Sequence, residues 1–174
     1  MSDEDRLADP APLLPYLPPA SAIIVRRRDP MAARDMSRAL TRAAAASGVT
    51  ILLSATSPID RLDAHGLHIP EAALANWKRS DIARLQPQLV TASAHGPTAA
   101  MRAAAFGIDA VLVSPVFATD SHETRPALGI MRFAAIAQAA PMPVIALGGI
   151  TAPRVRRVLH MGAAGIAGIG LFRP

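Results

Sequence analysis

Near the C-terminus the run Pro143-Val-Ile-Ala-Leu-Gly-Gly-Ile150 is followed by a helix-like stretch and then by Gly162-Ala-Ala-Gly-Ile-Ala-Gly-Ile-Gly170. This reads strand, glycine turn, helix, strand, glycine turn, and it constrains the fold more than any other part of the chain. Residues Val144 to Leu147 form a short apolar run with no polar face, the expectation for a strand buried on both sides of a parallel sheet. Ile166 to Ile169 is expected to be a second such strand, again ending in glycine at Gly168 and Gly170. Glycine at Gly148 and Gly149 lets the backbone turn tightly and approach a ligand closely. Two neighbouring glycine-ended strands with converging N–H groups are how the last units of a (β/α)8 barrel hold a phosphate. Glycine serving only close packing is the other reading, and both stay open from sequence.

The same alternation extends backwards. Strands are expected at Ala22–Arg26, Thr50–Ser54, Leu67–Ile69, Leu89–Ser93 and Ala110–Ser114. Helices are expected at Ala32–Ser47, Ser57–Ala64, Glu71–Trp77, Pro97–Phe106 and Gly129–Ala139, with Ser57 as a cap and Pro58 at the first helical position. Strict β–α alternation with short apolar strands implies a parallel sheet covered by helices. The expected fold is a (β/α)8 TIM barrel, incomplete because only seven strands can be read. An open doubly wound sheet is the rival. It favours a glycine-rich turn after its first strand, where this chain has Arg26-Arg-Arg-Asp29. Residues 1–21 form a proline-rich N-terminal arm in which no strand is credible, and residues 22–174 form the barrel domain.

Composition narrows the chemistry. There is no cysteine, which excludes disulfides, thiolate metal sites and a cysteine nucleophile. The net charge is +5, yet the basic residues are scattered. Aromatics make up 3% of the chain, too few for the stacking platforms of RNA or single-strand binders, so nucleic acid is not the expected partner. The basic clusters Arg26-Arg27-Arg28 and Arg154/Arg156/Arg157 suit a small anion or a solvated surface. Lys78 is the only lysine and lies in an exposed-looking stretch, which argues against Schiff-base chemistry. No apolar stretch approaches the roughly 20 residues that cross a bilayer, and Met1-Ser-Asp-Glu-Asp-Arg has no signal-peptide core. No membrane partner and a cytoplasmic location are therefore expected.

Gly66-Leu-His-Ile-Pro70, Ser93-Ala-His95, the run Gly107 to Thr119, Gly129 and Pro143 to Ile150 resemble, in order, the thiamine-phosphate synthase / thiazole tautomerase family. The resemblance runs from about Ile23 to Phe172 and is most specific from Gly66 onward. It implies a (β/α)8 barrel of thiamine biosynthesis and a small phosphorylated thiazole or thiamine phosphate as partner. In the synthases a pyrimidine pyrophosphate is joined to the thiazole with Mg²⁺. Against the family pattern, Ile24-Val-Arg-Arg-Arg28 keeps Arg26 and has Arg28 where the family has lysine. The family's two Mg²⁺ aspartates correspond to Ala55 and Ala73, so no metal ligand is assigned, and Mg²⁺ enters only if a pyrophosphate brings it. The pyrophosphate-gripping motif corresponds to Thr119-Asp-Ser-His122. The tautomerase's catalytic histidine corresponds to Pro115.

The resemblance assigns Arg26, Ser121 and His122 as catalytic, acting electrostatically on a departing pyrophosphate. Arg28, Ser93, His95, Thr119, Gly148, Gly149, Gly168, Ile169 and Gly170 are assigned to substrate and phosphate. Asp120 and Glu123 are the carboxylates of that loop. His68 is expected to be structural, and His65 and His160 to lie at the surface or on helices. With the family's first strand and eighth helix unmatched, a homo-dimer is expected, or docking of Leu13, Leu14, Tyr16 and Leu17 into the gap. A non-catalytic ligand-binding or structural member of the family, or a metal-free tautomerase-like isomerase, is the alternative to a transferase.

Overall fold

The computed structural model describes residues 2, 4, 7–119 and 126–172. The chain divides into two units, Met1–Val90 with Phe172–Pro174, and Thr91–Leu171. Seven strands are arranged in sequence order, and every pairing described below is parallel. That order contains no switch point, so the doubly wound alternative does not hold.

The first unit holds β1 (Ala22–Val25), α1 (Pro30–Ala43), β2 (Thr50–Ser54), β3 (Gly66–Ile69) and α2 (Arg79–Leu85). Ile23 pairs with Ile51, and Leu53 with Leu67. Helix α1 starts because the Asp29 carboxylate accepts the Met31 N–H at 2.9 Å and Pro30 fills the first position. It buries Ala33, Ser37 and Leu40, one face at spacings of four and three. Leu14, Ile23, Val25, Leu40, Ala44, Val49 and Ile51 make one core, with Ala11 and Leu17 packed against it. The N-terminal arm therefore packs on this core through Ala11, Leu14 and Leu17, and Leu13 is buried as well. Tyr16 does not join, being 66% exposed.

The described part of residues 1–21 has no strand, only a 3-10 turn at Ala11–Tyr16 and an isolated bridge residue at Leu7. Ser2 nevertheless behaves like a strand residue. Its N–H donates to Ile24 O at 2.8 Å, and its hydroxyl accepts the Arg26 N–H at 2.8 Å. Backbone groups on this side of β1 that need a partner thus find one in the arm.

The expected helix over Ser57–Ala64 does not form. Residues 55–65 are an irregular loop. Its carbonyls at Ile59, Asp60 and Arg61 accept guanidinium N–H groups of Arg84 and Arg34. Asp63 bridges Arg38 at 3.2 Å and Arg61 at 3.1 Å. The Arg38 hydrogen bond, with the nearby arginine charges, holds the Asp63 carboxyl below its ordinary value. Residues Glu71–Asn76 form a 3-10 segment, and α2 follows where no helix is expected. Helix α2 buries no residue, so it leaves no apolar period in the sequence.

The second unit carries most of β4 (Val90–Ala94), then α3 (Pro97–Ala105), β5 (Ala110–Val113), α4 (Ile130–Ala139), β6 (Val144–Leu147), α5 (Ala152–His160) and β7 (Gly165–Ala167). Its register sets Ser93 beside Leu112, Val113 beside Ala146, and Leu147 beside Ala167. Phe133, Val111, Val113, Ala146 and Val158 are fully buried. Burial on β6 alternates, with Val144 and Ala146 inside and Ile145 and Leu147 half-buried, so it is not covered equally on both faces. Strand β7 ends at Ala167, before the expected Ile169, and is half-buried throughout. Gly165 and Ala167 have little side chain to bury, Ile166 is only partly covered, and α5 contributes only Val158 to the interior.

Candidate functional site

In the first unit a cavity of about 410 Å³ opens beyond the C-terminal ends of β1 and β2. Arg26, Arg28 and Arg34 line it together with Ser54, Ala55, Thr56 and Ser57. Arginine beside hydroxyls suits an oxyanion, because guanidinium keeps its charge and presents several N–H groups. Arg27 also lines the cavity, but its guanidinium is engaged by Ala8 O and Met36 Sδ. The sequence reading missed Arg34, which lies one turn into α1. It also missed Glu4, whose carboxylate accepts the Arg28 N–H at 2.8 Å and approaches Arg28 Nε at 3.4 Å.

This donor set does not fit Mg²⁺. A hard cation takes oxygen ligands. Ala55 and Ala73 offer methyl groups and are 8% and 4% exposed. Among the described residues no three His, Asp or Glu side chains gather.

His68 is structural in placement, buried on β3 beside Ser54 with its carbonyl accepting the Ala55 N–H at 3.0 Å. Burial, with the charge of Arg26 adding to it, pushes the imidazole down to about 3, so it is neutral at physiological pH. His65 is not a surface residue as expected. Its Nδ1 accepts the Ile51 N–H at 3.0 Å and terminates a β2 backbone bond. His160 is exposed near the end of α5.

In the second unit the glycine turns after β6 and β7 leave the same sheet edge, because Leu147 and Ala167 are in register. The first turn has φ of +93° at Gly148 and +63° at Gly149. A Cβ at Gly148 would lie 2.7 Å from Pro115 Cα, and one at Gly149 would lie 2.5 Å from Ala118 O. Val116 N–H donates to Leu147 O and Phe117 N–H to Gly148 O, at 2.9 and 3.1 Å. Close packing on the Pro115–Ala118 segment is thus a sufficient reason for both glycines. Gly170 has nothing within 4 Å of its virtual Cβ, and the N–H groups of Gly149, Ile169 and Gly170 donate to no acceptor among the described residues.

Arg154 steadies the first turn. Its Nη1 donates to Gly149 O at 2.7 Å and its guanidinium stands 4.5 Å from the Phe117 ring centroid. The basic cluster in the sequence contained this residue but did not reveal its partner.

His95 follows β4. Its Nδ1 lies 2.7 Å from Ser114 O, with Ser114 Oγ at 3.4 Å. A carbonyl only accepts, so Nδ1 carries the proton and the ring is fixed against β5. Ser93 is half-buried on β4 and Thr119 half-buried after β5. Arg26 and Arg28 belong to the first unit; Ser93, His95, Thr119, Gly148, Gly149, Gly168, Ile169 and Gly170 belong to the second. Asp120, Ser121, His122 and Glu123 lie outside the described residues. Pro115 is buried and carries no acid or base where the tautomerase histidine corresponds.

Comparison with known proteins gives a consistent result. A family model described as thiamine monophosphate synthase matches residues 19–172. The chain is 32% identical over 145 residues to a thiamine-phosphate synthase of Koribacter versatilis, which covers 78% of this chain and 62% of that protein. It is 44% identical over 80 residues to a thiamine-phosphate synthase of Methanoculleus marisnigri, covering 45% of this chain and 38% of that one. The chain thus spans less than two thirds of these curated relatives. Among solved structures, a thiamine phosphate pyrophosphorylase from Pyrococcus furiosus superimposes with a TM-score of 0.69 at 21% identity. That match covers 93% of this chain and 78% of the other, which establishes likeness of fold. With the family match reaching from the end of the proline-rich arm through β7, the chain belongs to the thiamine monophosphate synthase family.

Proposed function

We propose that this protein binds a phosphorylated thiazole, or the thiamine phosphate made from it, at the glycine turns after β6 and β7. The arginine cavity of the first unit accepts pyrophosphate, and the chain does not run the Mg²⁺-dependent transfer of its family. The observation that carries the reading is the Leu147–Ala167 register, which brings Gly149, Ile169 and Gly170 to one edge with N–H groups making no bond among the described residues. Ala55 and Ala73, buried where the family carries carboxylates, support the non-catalytic part. The same reading treats residues 22–174 as one barrel-type domain behind the arm, acting as a cytoplasmic homo-dimer. Sedimentation as a monomer at high concentration would remove the dimer from it.

The test is thermal unfolding with thiazole phosphate, thiamine phosphate, pyrophosphate and Mg²⁺. A phosphorylated ligand at a hundredfold excess over its Kd adds about 2.7 kcal/mol, a rise of roughly 5 to 10 °C for a chain of this size. That rise is expected without Mg²⁺. Gly170→Glu, with open space for its side chain, is expected to abolish the rise by charge repulsion and leave the unliganded Tm unchanged. No shift with either phosphorylated ligand would overturn the binding site. Strong synthase turnover that EDTA abolishes would overturn the metal-free reading.

A further inference from the structure

The arginine cavity already contains an anion, and the chain supplies it. Glu4 lines the cavity beside Arg26, Arg28 and Arg34. Its two carboxylate oxygens address one residue, Oε1 taking the Arg28 N–H at 2.8 Å and Oε2 standing 3.4 Å from Arg28 Nε. A phosphate oxygen pair is gripped by backbone N–H and guanidinium in the same manner. The contact is not adventitious in its placement, because Ser2 fastens the arm to β1 two residues away. Ser2 is 1% exposed, with N–H on Ile24 O and its hydroxyl on the Arg26 N–H, both at 2.8 Å. A tether that short holds the carboxylate at high effective concentration over Arg28. Arg28 itself is 86% exposed on its side chain, so an incoming ligand can reach the same guanidinium.

We infer that Glu4 is a built-in competitor for the cavity: a diphosphate-bearing ligand enters only by displacing its carboxylate from Arg28. The inference rests on the reading of the cavity as a pyrophosphate site and adds its regulation by the arm. Competition of this kind lowers apparent affinity by the fraction of molecules in which the site is open. For a solvated ion pair the effect is about twofold to sixfold.

The experiment is calorimetric titration of the full chain with inorganic pyrophosphate, on wild type, Glu4→Gln and Asp9→Asn. Asp9 belongs to the same arm and accepts the Ala11 N–H, so its substitution controls for net charge. Glu4→Gln is expected to tighten binding about twofold to sixfold, with the gain shrinking as salt rises, and Asp9→Asn to leave it unchanged. Equal or weaker binding by Glu4→Gln, or an equal gain in Asp9→Asn, would overturn the competitor while leaving the cavity reading standing. Absence of pyrophosphate binding in both wild type and Glu4→Gln would instead remove the cavity reading, and the competitor with it.

Discussion

Gly149→Ala separates the two readings of the glycine turn. The substitution adds one methyl at φ +63°. An L side chain in that left-handed region costs about 1 to 2 kcal/mol. The new Cβ would also sit 2.5 Å from Ala118 O, 2.8 Å from Phe117 Cβ and 2.9 Å from Phe117 O. Two of those atoms are backbone, so relief requires the Pro115–Ala118 segment to move by about 1 Å, and overpacking of this kind costs about 1 to 3 kcal/mol. The Arg154–Gly149 bond at 2.7 Å resists movement of the turn itself. The total, about 2 to 5 kcal/mol, corresponds to a fall in Tm on the order of 10 °C for a chain of this length. Thermal unfolding followed by far-UV circular dichroism, without ligand, measures it. Gly170→Ala is the control, since its methyl meets nothing within 4 Å, and its Tm should stay within about 1 °C of wild type. A Gly149→Ala protein that unfolds at the wild-type temperature would refute the claim that this turn is packed against the β5 loop.

His68 makes stability depend on pH. Its folded value is about 3 against an ordinary 6.5, so below pH 6.5 the unfolded chain binds a proton that the folded one refuses. Stability from this group is complete above 6.5 and declines towards pH 3, at up to about 1.4 kcal/mol per unit. Replacing His68 by Gln should flatten that slope, and an imidazole found to titrate near 6.5 by NMR would sink the argument. Leu14→Ala, in the core shared by the arm and β1, should lose about 2 kcal/mol or more in denaturant unfolding. Tyr16→Ala, at an exposed position, should lose almost nothing, and similar losses for the two would show that the arm does not dock.

The sequence by itself determined the alternation of strands and helices, because apolar runs bounded by glycine and proline leave the backbone few options. Thr50–Ser54 and Val144–Leu147 are strands to the residue. Family membership was also legible there, since motifs such as Gly66 to Pro70 and Pro143 to Ile150 are local. What the tertiary structure decided is every property set by a distant partner. Residues 55–65 are a loop because Arg34 and Arg84, 27 and 24 residues away along the chain, take its carbonyls. Helix α2 stayed hidden because it buries nothing and so has no hydrophobic period. Gly148 and Gly149 could be read from sequence as a ligand cradle or a packing joint, and only the fold shows Pro115 and Ala118 against them. Glu4 was one acid in a polar terminus until the chain folded it onto Arg28, 24 residues on. Short-range sterics and hydrophobic period are written into neighbouring residues, whereas hydrogen-bond partners and close approaches exist only after the chain has brought remote segments together.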